Sequence, residues 1–530
     1  DDIIESCDGL SYHLMYTSGL PDEHNRHARR VRNYIKTNDA QWALMGNYMQ
    51  DEQFIFHAEL GGLRKFMRIV MFHHAQYPPH ANLLPPNVVT HAPRLPSFGT
   101  HHSKFFVLAY TQEVRVIVIT ANSIQGDFYD MTDAIWAQDF PKKAKGTEGA
   151  SDFENDLVQY FEALQWPGTA FSFTGERITA ASLRAYDYSK ATVQLIASVP
   201  GSHTGQDLHK WGHMKLRRVL GAQRFSSEFV ESPIVAQFSS IGSIQPEWLA
   251  DFEESVGAGL VLQDGHEGSA GAPGVVGAPR LGGGRLSLVW PTMEEMRRSL
   301  LGWIMGGPIP GRIENLAGKD WDKNLKKHLI SKYCMWSTGG DNARENHDHY
   351  KRCIGAPAHV SFGPGTSSSQ GQHDAQDAID PEGRGRSMPH IKTLVRHHAS
   401  GKSLAWLYLG SHNLSGAAWG SLNKNKTQLR ILSYELGVLF LPSLVSSTPD
   451  PAASGEVVKF EPTSVVGRSR REKPGLREER SLAGPAQRVL AFPIPYRLPP
   501  RPYRRDVDIP WAVKVSIGPL QDSQGNTIGE

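Results

Sequence analysis

Short apolar runs separated by polar, proline-rich or glycine-rich connections make up the first part of the chain. "FMRIVMF" (66–72), "KFFVLAY" (104–110) and "VRVIVITA" (114–121) are rich in branched and aromatic residues and predict buried strands, the last two joined as a hairpin by "TQE". In "FENDLVQYFEALQ" (153–165), apolar side chains recur every three or four residues, which predicts an amphipathic helix. The pattern over residues 40–72 predicts a helix followed by a strand.

A second series of such patterns begins near residue 191. The segments that predict strands are "ATVQLIASVPG" (191–201), "SPIVAQFSSIGSI" (232–244), "RLSLVWPT" (285–292), "SLAWLYLGS" (403–411) and "YELGVLFLP" (434–442). The segments that predict helices are "DLHKWGHMKLRRVLG" (207–221) and "MEEMRRSLLGW" (293–303). Because 530 residues are too many for one ordinary core, we expect two domains, residues 1–190 and residues 191–530.

Three stretches of the second domain have the composition of flexible insertions. Residues 264–285 are rich in Gly, Pro and Ala, residues 355–387 in Gly, Ser, Gln and Asp, and residues 445–487 combine Ser and Pro with a charged run. Such segments contain too little apolar surface to order themselves independently.

Composition and charge narrow the class of protein. An apolar content of 39% and a charged content of 21% are typical of a globular protein, and no apolar run reaches the roughly 20 residues of a membrane helix. The net charge of +2 does not indicate a general polyanion binder, although a local basic groove remains compatible with it. The three cysteines form no CxxC pair, which indicates neither a zinc site nor a disulfide framework and fits a reducing compartment.

The predicted hairpin carries polar residues at both ends. In "FGTHHSKFFVLAYTQEVRVIVITANS" (98–123), His102 and Lys104 come directly before the first strand and Asn122 follows the second. Side chains two residues apart on a strand project to the same face, so we expect His102 beside Lys104 and His101 pointing away. One such set is a weak signal, because histidines are common at strand entrances and asparagines in turns.

A second stretch repeats the same order of residues. "MPHIKTLVRHHASGKSLAWLYLGSHNLSG" (388–416) contains His390, Lys392 and Asn413. Two such halves brought together would place two lysines and two asparagine amides around one phosphate. Compact positive charges and aimed hydrogen-bond donors stabilise the charge that develops in phosphoryl transfer. The doubled set therefore predicts phosphoryl chemistry that needs no metal ion and no other cofactor.

The two histidines can divide the catalytic work. One imidazole attacks phosphorus and forms a phosphohistidine, while the other protonates the leaving group and then activates water. Since the two must begin in opposite protonation states, their surroundings must differ. Carboxylates commonly orient such histidines, and the candidates are Glu435 in "SYELGVLF" and Asp133 in "YDMTDAIW".

Other kinds of site are not indicated. We expect the adjacent pairs His73–His74 and His397–His398 in exposed loops. They do not indicate a metal site, because no acidic or cysteine partner stands at a metal-ligand spacing. The chain contains no Walker A loop, no HExxH and no GxSxG.

These motifs resemble those of the phospholipase D superfamily and, within it, of the tyrosyl-DNA phosphodiesterase family. The general superfamily motif has an aspartate five residues after the lysine; here Ala109 and His397 stand at those positions, and that absence is typical of the tyrosyl-DNA phosphodiesterase branch. Further similar segments, from about residue 96 onward, are "SFGTHHSK", "VAQFSSIGS", "MPHIKT", "NLSGAAWG", "SYELGVLFLPS" and "FPIPYRLPP".

The resemblance implies an α/β fold of two similar phospholipase D-like domains. Each would be a mixed β-sheet flanked by helices, and a pseudo-twofold axis would relate the two with the active site between them. The implied reaction is metal-independent hydrolysis, through a covalent phosphohistidine, of the bond between a DNA 3′ end and a tyrosine or peptide derived from topoisomerase I. The expected partner is single-stranded or 3′-end DNA carrying that adduct. We expect no membrane association, a monomer, and, from the function, nuclear localisation.

The resemblance also assigns roles to residues. His102 would be the nucleophile and His390 the general acid and base, with Glu435 orienting a histidine. The implied phosphate ligands are Lys104, Lys392, Asn122 and Asn413. Asp133 stands where some relatives have a supporting glutamine, and its extra carboxylate is expected to raise the pKa of a histidine.

Contacts to DNA are implied for a further group of residues. Phe98 would stack on a base. The residues implied to touch the DNA backbone or phosphate are Thr120, Ser239, Ser240, Ser243 and Ser415. Two departures from the family pattern are Gly416, where relatives often carry a lysine, and His412, where a small residue is usual and where we expect crowding of the site.

Two other functions remain open from the sequence. A different nuclease or phosphodiesterase of the same superfamily is one, although the missing aspartate and the lack of a lipid-facing amphipathic segment count against a phospholipase. A non-catalytic DNA-end-binding protein is the other, and the presence of all six residues of the doubled set counts against it.

Overall fold

Two β-sheets organise the part of the chain that the structure describes. The computed structural model describes residues 11–146, 149–170, 177–262, 279–318, 325–337, 343–357, 359–362, 383–445, 457–463, 475–479, 487–513 and 518–527. No helix within these residues is long and apolar enough to cross a membrane.

The first sheet lies entirely in the N-terminal part. Its strands are β1 (Ser11–Leu14), β2 (Ala40–Gly46), β3 (Arg68–Phe72), β4 (Val88–His91), β5 (Phe105–Tyr110), β6 (Glu113–Ile119) and β7 (Ala134–Pro141). They run in the order β1-β7-β6-β5-β2-β3-β4. The pairs β2–β3 and β3–β4 are parallel, and the other neighbouring pairs are antiparallel.

The second sheet repeats this topology. The remaining strands are β8 (Thr169–Ala170), β9 (Arg177–Ile178), β10 (Val193–Ser198), β11 (Gly201–Thr204), β12 (Arg224–Phe225), β13 (Ile234–Gln237), β14 (Leu260–Val261), β15 (Leu286–Val289), β16 (Tyr333–Cys334), β17 (Thr393–His397), β18 (Leu404–Gly410), β19 (Ser421–Asn423), β20 (Gln428–Ile431), β21 (Glu435–Phe440), β22 (Val457–Thr463), β23 (Gly475–Glu479) and β24 (Gln487–Pro493). In the second sheet, hydrogen bonding joins β10-β21-β18-β17-β13-β15-β16, with only the last two pairs of this series parallel. Three smaller sheets contain β11, β20 and β19, β12 and β14, and β8 and β9.

The two sheets therefore match strand for strand. β5 and β6 correspond to β17 and β18, and β7 corresponds to β21, in both order and direction. Strands β22, β24 and β23 extend the second sheet from β18. The mixed α/β fold is confirmed, whereas the pseudo-twofold axis and the boundary at residues 190/191 stay predictions.

Helices surround the sheets. They are α1 (Asp22–Asn25), α2 (Gln125–Asp130), α3 (Asp152–Ala163), α4 (Gly212–Gly221), α5 (Pro246–Val256), α6 (Met293–Arg297), α7 (Ile313–Leu316), α8 (Lys327–Ile330), α9 (His347–Cys353) and α10 (Gly416–Trp419). In α3 the Ser151 hydroxyl accepts a hydrogen bond from the Glu154 backbone at 3.2 Å, which caps the helix. The apolar stripe of α3, with Phe153, Leu157 and Phe161, is buried in the core, as its periodicity predicts.

Some predicted elements differ from the structure. Residues 40–46 form strand β2 rather than a helix, because their apolar side chains are needed between β3 and β5. The helical part of the pattern over 40–72 lies at Phe54–Glu59 and Gly61–Lys65, directly before β3. Of the insertion predicted at 445–487, residues 457–463 and 475–479 pair as strands. Most of the predicted insertions at 264–285 and 355–387 lies outside the described residues.

A buried arginine connects the segment before His390 to the N-terminal half. Arg384, which falls within the predicted insertion 355–387, is fully buried. Its guanidinium donates to the Met15 carbonyl at 3.2 Å and to the Thr17 hydroxyl at 2.7 Å. Asn25 Oδ1 accepts a further bond at 3.5 Å. This contact holds the chain that leads into the second histidine motif.

Replacing Arg384 by methionine is expected to destabilise the protein. The change removes charge-assisted hydrogen bonds and leaves buried acceptors without donors, which costs about 2–4 kcal/mol of unfolding free energy. Urea denaturation followed by tryptophan fluorescence measures it. Arg386→Met is the matched control, since Arg386 lies two residues away and is exposed. Equal midpoints for the two variants would contradict the assignment.

Candidate active site

The two sets of histidine, lysine and asparagine lie where the central strands of both sheets begin and end. The six residues that flank these strands are His102, Lys104, Asn122, His390, Lys392 and Asn413. Each His-x-Lys segment is extended chain just before β5 or β17, rather than part of the strand. Since β5 and β17 hold equivalent places in the two sheets, the two sets are structurally equivalent.

His102 is held by the C-terminal half. Its Nδ1 lies 2.9 Å from Glu435 Oε2, and its backbone N–H donates to the Tyr434 carbonyl at 2.9 Å. The Ser411 hydroxyl donates to the same Glu435 oxygen at 2.5 Å. The carboxylate thereby fixes the ring and leaves Nε2 as the nitrogen available for chemistry.

His390 is held by the N-terminal half through its backbone, with two carboxylates near a ring nitrogen that forms no hydrogen bond within the described residues. Its backbone N–H donates to the Thr132 carbonyl at 3.0 Å, and Thr132 immediately precedes Asp133 as Tyr434 precedes Glu435. Its Nδ1 lies 3.4 Å from Asp133 Oδ1 and 3.2 Å from Asp127 Oδ2. Each histidine is thus oriented by the opposite half of the molecule.

Asp127 is a site residue that the sequence reasoning missed. It lies on α2, five residues after Asn122, and its Oδ2 accepts a 2.8 Å hydrogen bond from the Asn122 backbone N–H. In the second half, the position five residues after Asn413 holds Ala418. A comparison of the two repeats at this offset was the signal that could have found Asp127.

The two lysines are completely buried. Lys104 Nζ donates to the His102 carbonyl at 2.9 Å, while Lys392 Nζ donates to the His390 carbonyl and, at 3.4 Å, to the Thr120 carbonyl. Burial and their mutual repulsion lower the pKa of Lys104 to about 7, and burial lowers the pKa of Lys392 to about 8. A bound phosphate would favour their charged forms.

The two asparagines differ in their partners. Asn413 Oδ1 accepts from the Ser240 backbone N–H at 3.0 Å and from the Ser239 hydroxyl at 3.3 Å. Its amide nitrogen is therefore the atom left to donate to a ligand. Asn122 Oδ1 is buried and has no hydrogen-bond partner among the described residues.

Burial sets the protonation of the histidines and carboxylates. It lowers the pKa of both His102 and His390 well below the ordinary value, with the lysines acting in the same direction. A neutral His102 suits a nucleophile. Burial raises the pKa of Glu435 and of Asp133 to about 7. The pKa of His390 falls because desolvation outweighs the carboxylate of Asp127, which acts to raise it. A raising effect of Asp133 stays a prediction.

Asp127, Asp133 and His390 also bring possible ligand atoms within 4.8 Å of one another. That spacing would suit a divalent cation. Lys392 already supplies positive charge to both carboxylates, and Lys104 acts on Asp133 in the same sense. We therefore assign the cluster to orientation of His390.

The residues expected to contact DNA occupy varied places. Phe98 is 94% exposed and has a φ of 63°, which is strained for an aromatic residue. Ser243 is exposed, and Ser239 and Ser240 fix Asn413 as described above. Ser239 and Ser240, which fix Asn413, are thus brought to the site. Phe98 is exposed to solvent beside the His102 segment.

Two of the expected phosphate contacts have other roles. The Thr120 hydroxyl is fully buried, donates to Asp133 Oδ1 at 2.6 Å and accepts from the Ala134 backbone, so it orients Asp133. The Ser415 hydroxyl accepts from the Ala418 backbone at 3.1 Å and caps α10. The Thr120 proton is already donated to Asp133, so a direct phosphate contact by this hydroxyl is not supported. The Ser415 hydroxyl only accepts within the protein, and its phosphate contact stays a prediction.

The two departures from the family pattern have structural reasons. A Cβ at Gly416 would lie 2.4 Å from Ser421 Oγ, so a larger residue there requires the Ser421 side chain to move. His412 does not crowd the site: its ring stacks on Trp419 with centroids 4.2 Å apart and bonds to Tyr408 and Ser198. Burial lowers the pKa of His412 to about 4, which keeps it neutral.

Tyr48 forms an aromatic wall beside His102 that the sequence did not indicate. Its ring centroid lies 5.3 Å from that of His102 and 5.3 Å from that of His74.

His101 is fully buried on the side of Phe105 and Tyr434, in agreement with its expected direction. The prediction that the pairs His73–His74 and His397–His398 lie in exposed loops is wrong in part, because His73, His74 and His397 are buried.

Comparison with known proteins gives a consistent match. The sequence profile of the family described as tyrosyl-DNA phosphodiesterase matches residues 11–504. Tyrosyl-DNA phosphodiesterase 1 of Arabidopsis thaliana is 36% identical over 520 residues, covering 95% of this chain and 74% of that protein. Its Drosophila melanogaster namesake is 26% identical over 421 residues, covering 77% and 56%.

The fold agrees with a solved structure as well. The crystal structure of the yeast tyrosyl-DNA phosphodiesterase superposes with a TM-score of 0.56 at 14% identity, covering 96% of this chain and all of that one. At this identity the likeness concerns the fold alone, while the profile match and the Arabidopsis relative concern the sequence. Together with the doubled His-x-Lys and Asn set, they show that this chain belongs to the tyrosyl-DNA phosphodiesterase family.

Proposed function

We propose that the protein is a DNA-repair phosphodiesterase that hydrolyses the bond between a DNA 3′-phosphate and a topoisomerase I-derived tyrosine or peptide. The observation that carries the proposal is the reciprocal clamp at the site, in which each half orients the histidine of the other with a carboxylate. Two buried lysines and two asparagines accompany these histidines, and family membership supports the same activity.

The first step forms a covalent intermediate. His102 Nε2 attacks phosphorus, the bond from phosphorus to the tyrosine oxygen breaks, and His390 delivers a proton to the departing oxygen. Lys104 and Lys392 neutralise the charge on the non-bridging oxygens, and the Asn413 amide nitrogen donates to one of them. Phenolate is a fair leaving group, so the acid contributes less for tyrosine than for an alkyl alcohol.

The second step releases the DNA. His390, now neutral, accepts a proton from water as the water oxygen attacks phosphorus. The bond from phosphorus to His102 breaks, and the products are a 3′-phosphate and free enzyme. Because the lysines and asparagines stay in place, the same groups stabilise both transition states.

The DNA side of the proposal rests on the surroundings of the site. Phe98 is displayed to solvent and can stack on a base of single-stranded or 3′-end DNA. We propose in addition a monomer that acts in the nucleus, since the known function of the family is repair of DNA. The two histidines and the carboxylates beside them belong to this chain.

The activity is expected to be independent of metal and to depend on both histidines. Wild-type protein with a 3′-phosphotyrosyl oligonucleotide in EDTA should release tyrosine and leave a 3′-phosphate. His102→Ala should form no covalent adduct, whereas His390→Ala should accumulate the adduct because its hydrolysis slows by about 10²–10⁴-fold. Denaturing gels after a single turnover measure both results.

The same experiment separates the alternatives. No release of tyrosine by the wild type, with tight binding of the oligonucleotide, would indicate a DNA-end-binding protein. Internal cleavage of unmodified DNA would indicate another nuclease of the superfamily. Release only after addition of a metal ion would contradict the metal-independent mechanism, and cleavage by His102→Ala at the wild-type rate would contradict the nucleophile.

Affinity for a 3′-phosphate is expected to fall as pH rises. A lysine is charged below its pKa, so phosphate binding is fully present below pH about 7. It is lost as pH rises through the pKa values of Lys104, about 7, and Lys392, about 8. Loss of a charge-assisted contact corresponds to about a 10–100-fold rise in Kd. Fluorescence anisotropy with a 3′-phosphate oligonucleotide measures it, and a 3′-hydroxyl oligonucleotide is the control. The same pH dependence with both ligands would contradict the assignment.

Phe98→Ala is expected to weaken binding of single-stranded DNA while leaving the chemistry intact. Loss of one stacked base costs about 1–3 kcal/mol, so KM should rise with kcat unchanged. Steady-state kinetics on a 3′-phosphotyrosyl oligonucleotide measure this. Ile304→Ala is the control, since Ile304 is also an exposed apolar residue, at 69% exposure, outside the site. An unchanged KM for Phe98→Ala would contradict the proposal that Phe98 stacks on a base.

A further inference from the structure

The two histidines of the site have unequal carboxylate partners. His102 has one, Glu435, at 2.9 Å. His390 has two, Asp127 Oδ2 at 3.2 Å and Asp133 Oδ1 at 3.4 Å from its Nδ1. Glu435 and Asp133 hold equivalent places at the start of β21 and just before β7, so Asp127 is the additional group. Its counterpart in the second half is Ala418, which cannot serve.

The additional carboxylate is placed at the histidine that must carry a proton. Burial pushes His390 toward its neutral form, yet the first chemical step needs a proton on its Nε2. A carboxylate at Nδ1 opposes that effect by stabilising the imidazolium. Asp127 is buried and its Oδ2 is anchored by the Asn122 backbone N–H at 2.8 Å, so it is held in place by a phosphate-binding segment.

His390 Nδ1 forms no hydrogen bond within the described residues, so Asp127 and Asp133 act on the ring as near neighbours rather than as hydrogen-bond acceptors. Asp133 Oδ1 is satisfied by the Thr120 hydroxyl at 2.6 Å, and its Oδ2 is buried without a hydrogen-bond partner among the described residues. An unpartnered buried oxygen disfavours the ionised form. Burial raises the pKa of Asp133 to about 7, in agreement with that geometry.

The charged groups around Asp127, Asp133 and His390 favour the binding of one proton by a carboxyl of this cluster. The groups that act on His390 are Asp127 from α2, Lys392 before β17, Lys104 before β5 and His102, while Asp133 senses Lys392 and Lys104. With Glu435 included, three carboxylates accompany two ammonium groups at the site. A phosphodiester adds a further negative charge, which promotes protonation of a carboxyl that is already close to neutrality.

We propose that Asp127 is the positioning residue of the general acid His390, and that Asp133 completes the pair as a neutral carboxylic acid. This inference rests on the proposed function, since it divides labour within the first step of that reaction. Asp127 Oδ2, 3.2 Å from Nδ1 and fixed by the Asn122 backbone N–H, favours the protonated form of His390. Asp133 and Thr120 enclose the ring.

The test measures leaving-group release in a single turnover, with enzyme in excess, on two substrates. One is a 3′-phosphotyrosyl oligonucleotide and the other a 3′-phosphodiester of an alkyl alcohol, a poorer leaving group that depends more on the acid. Asp127→Asn should slow the alkyl substrate by about 10–100-fold, the usual effect of losing a group that orients a histidine, and the tyrosyl substrate far less. Asp130→Asn, on the same helix, is the control and should change neither rate.

Asp133→Asn supplies the second readout. It should keep the rate at neutral pH, because an amide of the same shape replaces a neutral acid and its oxygen still accepts the hydrogen bond from Thr120. Equal slowing of both substrates by Asp127→Asn would show a merely structural role and overturn the proposal, as would a loss of rate in Asp133→Asn as large as in Asp127→Asn. No release by the wild type from either substrate would instead overturn the proposed function.

Discussion

The exchange of carboxylates between the two halves is the constraint on which the site depends. Glu435 of the second half fixes His102, and Asp133 with Asp127 of the first half fixes His390. Backbone hydrogen bonds to Tyr434 and Thr132 repeat this exchange. Neither half contains a complete histidine site, so the chemistry requires the two sheets to be held in register. Arg384 contributes to this by joining the segment before His390 to the first half.

Burial of so many ionisable groups has a chemical consequence. Desolvation draws Lys104, Glu435 and Asp133 to pKa values of about 7 and Lys392 to about 8, so their charged and neutral forms differ little in free energy at neutral pH. A bound phosphodiester can therefore reset the protonation of the site as it enters. Enclosure also removes water that would compete for the phosphoryl oxygens.

Equivalent positions in the two sheets carry different chemistry through few changes. Both histidines precede a central strand and both lysines donate to the carbonyl of their own histidine. The difference lies around them: Asn413 is fixed by Ser239 and Ser240, while Asn122 is tied by its backbone to Asp127. A repeated scaffold thus surrounds two equivalent histidines with different partners, as the proposed division into a nucleophile and an acid needs.

The amino-acid pattern alone determined a large part of this picture. The hairpin of β5 and β6, helix α3 and the doubled set of histidine, lysine and asparagine follow from local periodicity and spacing, which act between residues close in sequence. Only the tertiary structure decided which carboxylate meets which histidine, that Asp127 belongs to the site, that Thr120 is committed to Asp133, and that residues 40–46 form a strand. These outcomes depend on contacts between residues distant in sequence, such as the 333 positions that separate His102 from Glu435, and no local pattern encodes them.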